Sequence, residues 1–174
     1  MERIAIDMDE VTVNTLPTLL HRFNKDYGHS VTAEDLKGMK LEALHPELHD
    51  EIKAYFYEPS FFRYLQVMEG APEVIEQLAG QYEVFITTAA MEFPPSFAAK
   101  YEWLKHNLSF LGDMNFVFCG DKSIIHADYL IDDNARHFER FAGKGILYTA
   151  PHNIYDTSYT RVDHWEDIRR YFLT

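Results

Sequence analysis

The sequence predicts a doubly wound parallel α/β sheet with a small helical insert after its first strand, and three observations carry that prediction. Short apolar runs end in polar side chains: Ile4 to Ile6 before Asp7 and Asp9, Val84 to Ile86 before Thr87 and Thr88, and Tyr129 to Ile131 before Asp132 and Asp133. After Gly70 such runs alternate with helical patterns, as βαβ units require. Between residues 16 and 68 the pattern is helical, with no convincing strand.

Each element follows from local chemistry. The run from Arg3 is a buried strand, and alternation along it sends Asp7 and Asp9 to one side at its carboxyl end. Asn14 or Thr15 caps a helix in which Leu16, Leu19, Leu20 and Phe23 recur at helical spacing, and Gly28 ends it. Thr32 caps a short helix through Leu36. Pro46 opens another that carries Leu48, Ile52, Tyr55 and Phe56, and Pro59 stops it. Pro72 then begins a helix with Val74, Ile75 and Leu78. Strands are expected at Tyr82 to Thr87, Phe116 to Phe118, Tyr129 to Ile131 and Ile146 to Tyr148. Helices are expected at Ser96 to Leu108, Arg136 to Phe141 and Trp165 to Leu173. The expected domains are an α/β core of residues 1–15 and 69–174 and a small helical cap of residues 16–68, seated over the carboxyl ends of the strands.

Two acids at one strand tip raise one another's pKa, and the usual remedies are a shared proton or a divalent cation. In an open parallel sheet, ligands bind beyond the carboxyl ends of the strands, so the acids, Thr87 or Thr88, and the Asp132–Asp133 pair can converge on one crevice. Lys122 lies between the last two groups in sequence. Carboxylates, a hydroxyl and a cation around one crevice suit phosphoryl transfer, in which Mg²⁺ and lysine neutralise phosphate oxygens and a carboxylate attacks phosphorus.

The segments I-D-M-D-E-V (6–11), V-F-I-T-T (84–88) and D-K-S-I-I-H-A-D-Y-L-I-D-D (121–133), with F-F at 61–62 and E-G-A-P-E at 69–73, resemble the haloacid dehalogenase-like phosphohydrolases. Within them the finer likeness is to the bacterial 5'(3')-deoxyribonucleotidases. The resemblance implies a Rossmann-like core and a Mg²⁺-dependent phosphomonoesterase acting on nucleoside monophosphates through an aspartyl-phosphate. It implies Asp7 as nucleophile and Asp9 as the acid that protonates the leaving oxygen and then activates water. Asp7, the backbone carbonyl of Asp9, Asp132 and Asp133 would bind the metal, with Asp133 the direct ligand of the pair. Thr88 and Lys122 would hold phosphate oxygens, and Lys122 stands at the family spacing, ten residues before Asp132. Phe62 retains a nucleobase-pocket aromatic, whereas Thr15, Met39 and Lys40 stand at aromatic positions. Two further departures are Glu10, where glycine is usual, and Ala89, which replaces a phosphate-binding serine.

Composition narrows the partners. With 28 acids against 16 bases and a net charge of −12, the chain is not built to replace counterions along polymeric nucleic acid. No stretch reads as a membrane span or leader, and the one cysteine, Cys119, allows no intrachain disulfide, so a cytoplasmic protein is expected. His45 and His49 have helical zinc spacing, but Pro46 occupies the place of the zincin glutamate, which favours solvated histidines. Cys119 reads as an inert buried thiol. The aromatic run from Tyr55 to Tyr64 reads mainly as core, with Phe62 able to serve a base as well. The competing classes are a phosphatase of another small ester on the same core and a receiver-like module that keeps phosphate on an aspartate. In receivers a lone aspartate precedes Thr and Lys, and nothing like the D-D after Lys122 follows, so motif order favours the enzyme.

Overall fold

The first strand is short and apolar from Ile4 to Ile6, between a charged residue at either end, so it folds into the middle of a sheet, where both faces are covered. The computed structural model describes residues 1–174. In chain order the elements are β1 (Arg3–Asp7), β2 (Val13–Asn14), α1 (Leu16–Tyr27), α2 (Leu41–Leu44), α3 (His49–Phe56), α4 (Pro59–Arg63) and β3 (Gln66–Val67). There follow α5 (Ala71–Ala79), β4 (Glu83–Thr88), α6 (Phe97–Asn107), β5 (Phe116–Phe118), β6 (Tyr129–Asp132), β7 (Lys144–Tyr148), β8 (Thr160–Val162) and α7 (Trp165–Leu173). Six strands form one parallel sheet in the order β5-β4-β1-β6-β7-β8. Strand order reverses between β1 and β6, which makes a crevice at their carboxyl ends.

Alternation along β1 divides the core. Ile4 and Ile6 join a cluster of 33 buried apolar residues that runs on through Leu36, Leu41, Ile52, Phe61 and Phe62 of the inserted helices, while Ala5 faces Leu130, Leu147, Phe138 and Phe141 on the other side. Two indoles pin the ends of the insert, since Trp165 Nε1 donates to the Val11 carbonyl and Trp103 Nε1 to that of Leu65, each at 2.8 Å. No helix is long and apolar enough to cross a membrane.

The structure differs from the sequence reading at several places. Residues 136–141 form no helix, only a tight turn over Ala135–His137. So short a segment gains little from helical hydrogen bonds after the cost of nucleation, and burying Phe138 and Phe141 against the sheet dominates instead. The insert is not wholly helical, because β3 at its end pairs antiparallel with β2 at its start. Strands of two residues carry no readable periodicity. Pro59 does not stop a helix; α3 ends at Phe56 and Pro59 opens α4 from its first turn, where its missing N–H costs nothing. The strand β8, parallel to β7, was not expected. Finally, neither Asn14 nor Thr15 caps α1 with its side chain. The Glu10 carboxylate does so, accepting from the Thr15 and Leu16 amides at 2.9 and 2.8 Å and from the Thr15 hydroxyl.

Candidate active site

β1 ends at Asp7, between Thr87 of β4 on one side and the Asp132 end of β6 on the other. Beyond it the chain turns. Met8 is buried and donates its amide to the Thr87 carbonyl, so Asp9 reaches the crevice from the turn rather than from an extended strand tip. Glu10 then takes a left-handed conformation, φ 60°, which glycine adopts without strain and glutamate does not. The capping bonds that its carboxylate makes to α1 help hold it there.

Lys122 is the pivot of the floor. It is 1% exposed, pairs with the Asp7 carboxylate, and donates to Asp132 Oδ2 at 2.6 Å. Burial alone would lower its pKa, but the carboxylates of Asp132 and Asp7 outweigh that and keep the ammonium charged. Asp132 Oδ1 accepts the Asn134 amide at 2.9 Å, so both its oxygens are engaged. Burial pushes the Asp7 carboxyl up to about 8, against the pull of Lys122 and with the help of nearby acids. Asp133 is raised well above the usual carboxylate range, first by burial and then by Asp132 and Asp7. No lysine or arginine pairs with it. The neutral side of its surroundings is supplied by His152, whose Nε2 lies 3.4 Å from Asp133 Oδ2 and 3.1 Å from its carbonyl oxygen, and by Asn153 Nδ2, which donates to that carbonyl at 2.7 Å. Burial holds His152 down to about 4, so it is an uncharged imidazole near neutral pH.

Asp7, Asp132 and Asp133 can bring one carboxylate oxygen each within 4.8 Å of one another. A set of hard anionic oxygens, one of them with no cation beside it, fits an oxygen-seeking divalent ion. His45 and His49 belong to no such group. The His45 ring packs 4.5 Å from that of His29 and 5.0 Å from that of Phe23, while His49 lines the crevice.

A second lysine escaped the sequence reading. Lys100, on α6, is 2% exposed; it pairs with Asp9 Oδ2, donates to Thr88 Oγ1 at 3.0 Å, and lies 4.5 Å over the Phe62 ring. Its spacing was a readable signal, because it shares one face of α6 with the buried Trp103 and Leu104 three and four residues on. Of the two threonines, Thr88 turns toward this group and Thr87 Oγ1 points back to the Ile6 carbonyl at 3.3 Å. Thr88 is buried behind Asp9 and Lys100, with its hydroxyl engaged by both, and does not itself line the cavity. Asp9 Oδ1 has no hydrogen-bond partner, although the atom is buried.

Above this floor lies a cavity of about 370 Å³, lined by Thr15, Met39, Lys40 and Phe62 among others, so all four sequence-marked pocket positions meet there. Cys119 sits apart, on the far side of Thr88 with its Sγ 3.7 Å from that residue's carbonyl, and burial pushes its thiol up.

A parallel sheet in this strand order, with these acids and lysines at its switch point under a helical roof, defines a haloacid dehalogenase-like phosphohydrolase. The fold agrees with solved structures at low identity. A haloacid dehalogenase-like family hydrolase from Streptococcus pneumoniae superposes with a TM-score of 0.66 at 14% identity, over 99% of this chain and 98% of the other. A hydrolase of the same superfamily from Deinococcus radiodurans, solved with bound phosphate and sodium, gives 0.66 at 11%, over 98% and 94%. Sequence carries the relation further. The family description "5' nucleotidase, deoxy (Pyrimidine), cytosolic type C protein" matches residues 2–174. A provisionally named 5'(3')-deoxyribonucleotidase of Staphylococcus epidermidis is 47% identical over 98% of this chain and 96% of its own length. The 5'(3')-deoxyribonucleotidase of Bacillus subtilis is 35% identical over 98% of both. The chain belongs to this nucleotidase family, and it is a phosphoric monoester hydrolase.

Proposed function

We propose that the chain dephosphorylates deoxynucleoside 5'- and 3'-monophosphates through a phosphorylated Asp7. The reading is supported first by one observation: Asp7 is oriented by Lys122 at the floor of the crevice, and a second carboxylate, Asp9, stands beside it with one oxygen held by Lys100 and the other unclaimed. In the first step an Asp7 oxygen forms a bond to phosphorus, the P–O bond to the sugar breaks, and Asp9 gives its proton to the departing oxygen. Asp9 then takes a proton from water as that water attacks phosphorus and releases phosphate from Asp7. Lys122 balances charge on the phosphate oxygens, and Lys100 fixes which Asp9 oxygen faces the reaction.

Asp7, Asp133 and the Asp9 carbonyl would hold Mg²⁺, with Asp132 kept mainly to anchor Lys122. When bound, Mg²⁺ supplies positive charge to the phosphate oxygens and makes the buried acids tolerable together. Phe62 supplies an apolar wall for the nucleoside, and Thr15 and Met39 line the same pocket. The unpartnered Asp9 oxygen supports discharge of a phospho-aspartate over its preservation in a receiver-like module. The single buried cysteine is consistent with a reducing cytoplasm.

The test is phosphate release from a panel of ribo and deoxy 5'- and 3'-monophosphates and sugar phosphates. Turnover favouring deoxynucleotides, lost with EDTA and restored by Mg²⁺, is the expected result. Turnover indifferent to chelation, or confined to sugar phosphates, would overturn the reading.

A further inference from the structure

Of the sixteen lysines and arginines, only Lys25, Lys40 and Lys53 make neither an ion pair nor a side-chain hydrogen bond. Two of these three, Lys40 and Lys53, line the crevice, and both come from the inserted helices. In a chain with a net charge of −12, where acids outnumber bases, lysines without a partner are not the expected outcome of random surface placement. Most of the crevice acids are already answered: Asp7 and Asp132 by Lys122, Asp9 by Lys100, Glu92 by Arg136, and Glu10 by the first turn of α1. Asp133 is left for the metal. On the cap wall itself the only acid is Glu42, which pairs with neither lysine.

The two lysines are displayed by structure rather than by chance exposure. His49, Lys53 and Phe56 recur at i, i+4 and i+7 on α3, so one helix face carries an imidazole, an ammonium and a phenyl ring into the cavity. Lys40 precedes the first residue of α2, and its charge acts across the crevice on both Asp133 and His152. It follows Gly38, whose amide donates to the Pro151 carbonyl at 2.9 Å and whose left-handed backbone lies under the Tyr155 ring, so close that a Cβ there would meet the ring at 2.6 Å. The loop that carries Lys40 is therefore fastened to the segment that carries His152.

We propose that Lys40 and Lys53 form a second anion subsite on the cap wall. The favoured substrates are then phosphomonoesters that carry another negatively charged group away from the ester that is cut, as nucleoside 3',5'-bisphosphates do. The inference rests on the phosphatase reading above. Charge-assisted hydrogen bonds to an anion are roughly twice as strong as neutral ones, and one of them is expected to give a roughly tenfold preference.

The experiment compares kcat/KM for deoxythymidine 3',5'-bisphosphate with that for thymidine 5'-monophosphate, in Mg²⁺ at low ionic strength. The wild type is expected to favour the bisphosphate about tenfold. In the double variant K40Q/K53Q that ratio is expected to fall to about one, while K25Q, at the third unpartnered lysine, keeps it. All three lysines are exposed, so the variants are expected to fold. Equal efficiency toward both compounds in the wild type, or an unchanged ratio in K40Q/K53Q, overturns the subsite and leaves the phosphatase reading standing. Absence of phosphate release from either compound overturns the phosphatase reading itself.

Discussion

The floor and the cap wall of the crevice handle charge in opposite ways. At the tips of β1 and β6 most charges are answered by an opposite one, as Lys122 answers Asp7 and Asp132 and Lys100 answers Asp9. On the wall made by α2 and α3, Lys40, Lys53 and Glu42 line the cavity without ion-pair partners. The difference fits the two tasks proposed for them. Groups that stabilise charge during the reaction must be fixed beforehand, because reorganising them at the moment of reaction would consume the advantage they confer. Groups that choose the substrate need only await it.

Breaking the floor is expected to have the largest effect. Lys122→Met removes the cation from between two buried carboxylates, a change that typically costs about 3–5 kcal/mol when the partner charge stays buried. A thermal melt should fall by roughly 10 °C for a chain of this size, and Mg²⁺ should restore part of the loss. A melting temperature within a degree or two of wild type would show that the pairing contributes little. The same substitution on the wall, Lys53→Met, should leave the melt unchanged.

The charges of the floor can also be sharpened by pH. Asp7 is raised to about 8 and Asp133 is raised well above the usual carboxylate range, both chiefly by burial. A carboxyl whose folded pKa lies above its unfolded value near 4 favours the fold while it is protonated, and that contribution is lost as pH rises through the folded pKa. The metal-free protein should therefore lose stability between about pH 4 and pH 8, and Mg²⁺ should raise the melting temperature more at pH 8 than at pH 6. A metal-induced shift that shrinks with rising pH would contradict the assignment of these acids as its ligands.

The smallest effect concerns the junction of the two regions. Glu10 combines a left-handed backbone with a cap on α1. Glu10→Ala keeps the strain and loses the cap, for a cost of about 1 kcal/mol. Glu10→Gly loses the cap but relieves the strain, so it should melt above the alanine variant. The reverse order would mean that the left-handed backbone at this turn stores less strain than the extra freedom glycine gives the unfolded chain.

Much of the floor was legible in the sequence because its parts sit at strand ends, where an apolar run stops abruptly at a carboxylate. Asp7, Asp9, Asp132 and Asp133 show themselves in that way, and the parallel βαβ architecture follows from the alternation after Gly70. Lys122 was visible only through its spacing from Asp132. Asn153 and His152 were not visible, since their roles depend on contacts between segments far apart in the chain, and the spacing of Lys100 on α6 signals its burial but not its partners Asp9 and Thr88. The role of Glu10 was hidden for a related reason: a residue that departs from glycine signals a peculiar backbone, but not what its side chain will reach. Elements of two or three residues, β2, β3 and β8, lack the length to show a period, and the phenylalanines at 138 and 141 mimicked a helix that the sheet had no need of.

The central claim is that Asp7 carries phosphate during turnover. Acid quenching of a rapid reaction with ³²P-labelled deoxynucleotide, followed by peptide mapping, tests it most directly. Label is expected on the peptide that contains Asp7, appearing before free phosphate reaches its steady rate, with neither label nor turnover in Asp7→Asn. Turnover by Asp7→Asn at a rate near that of the wild type would contradict it.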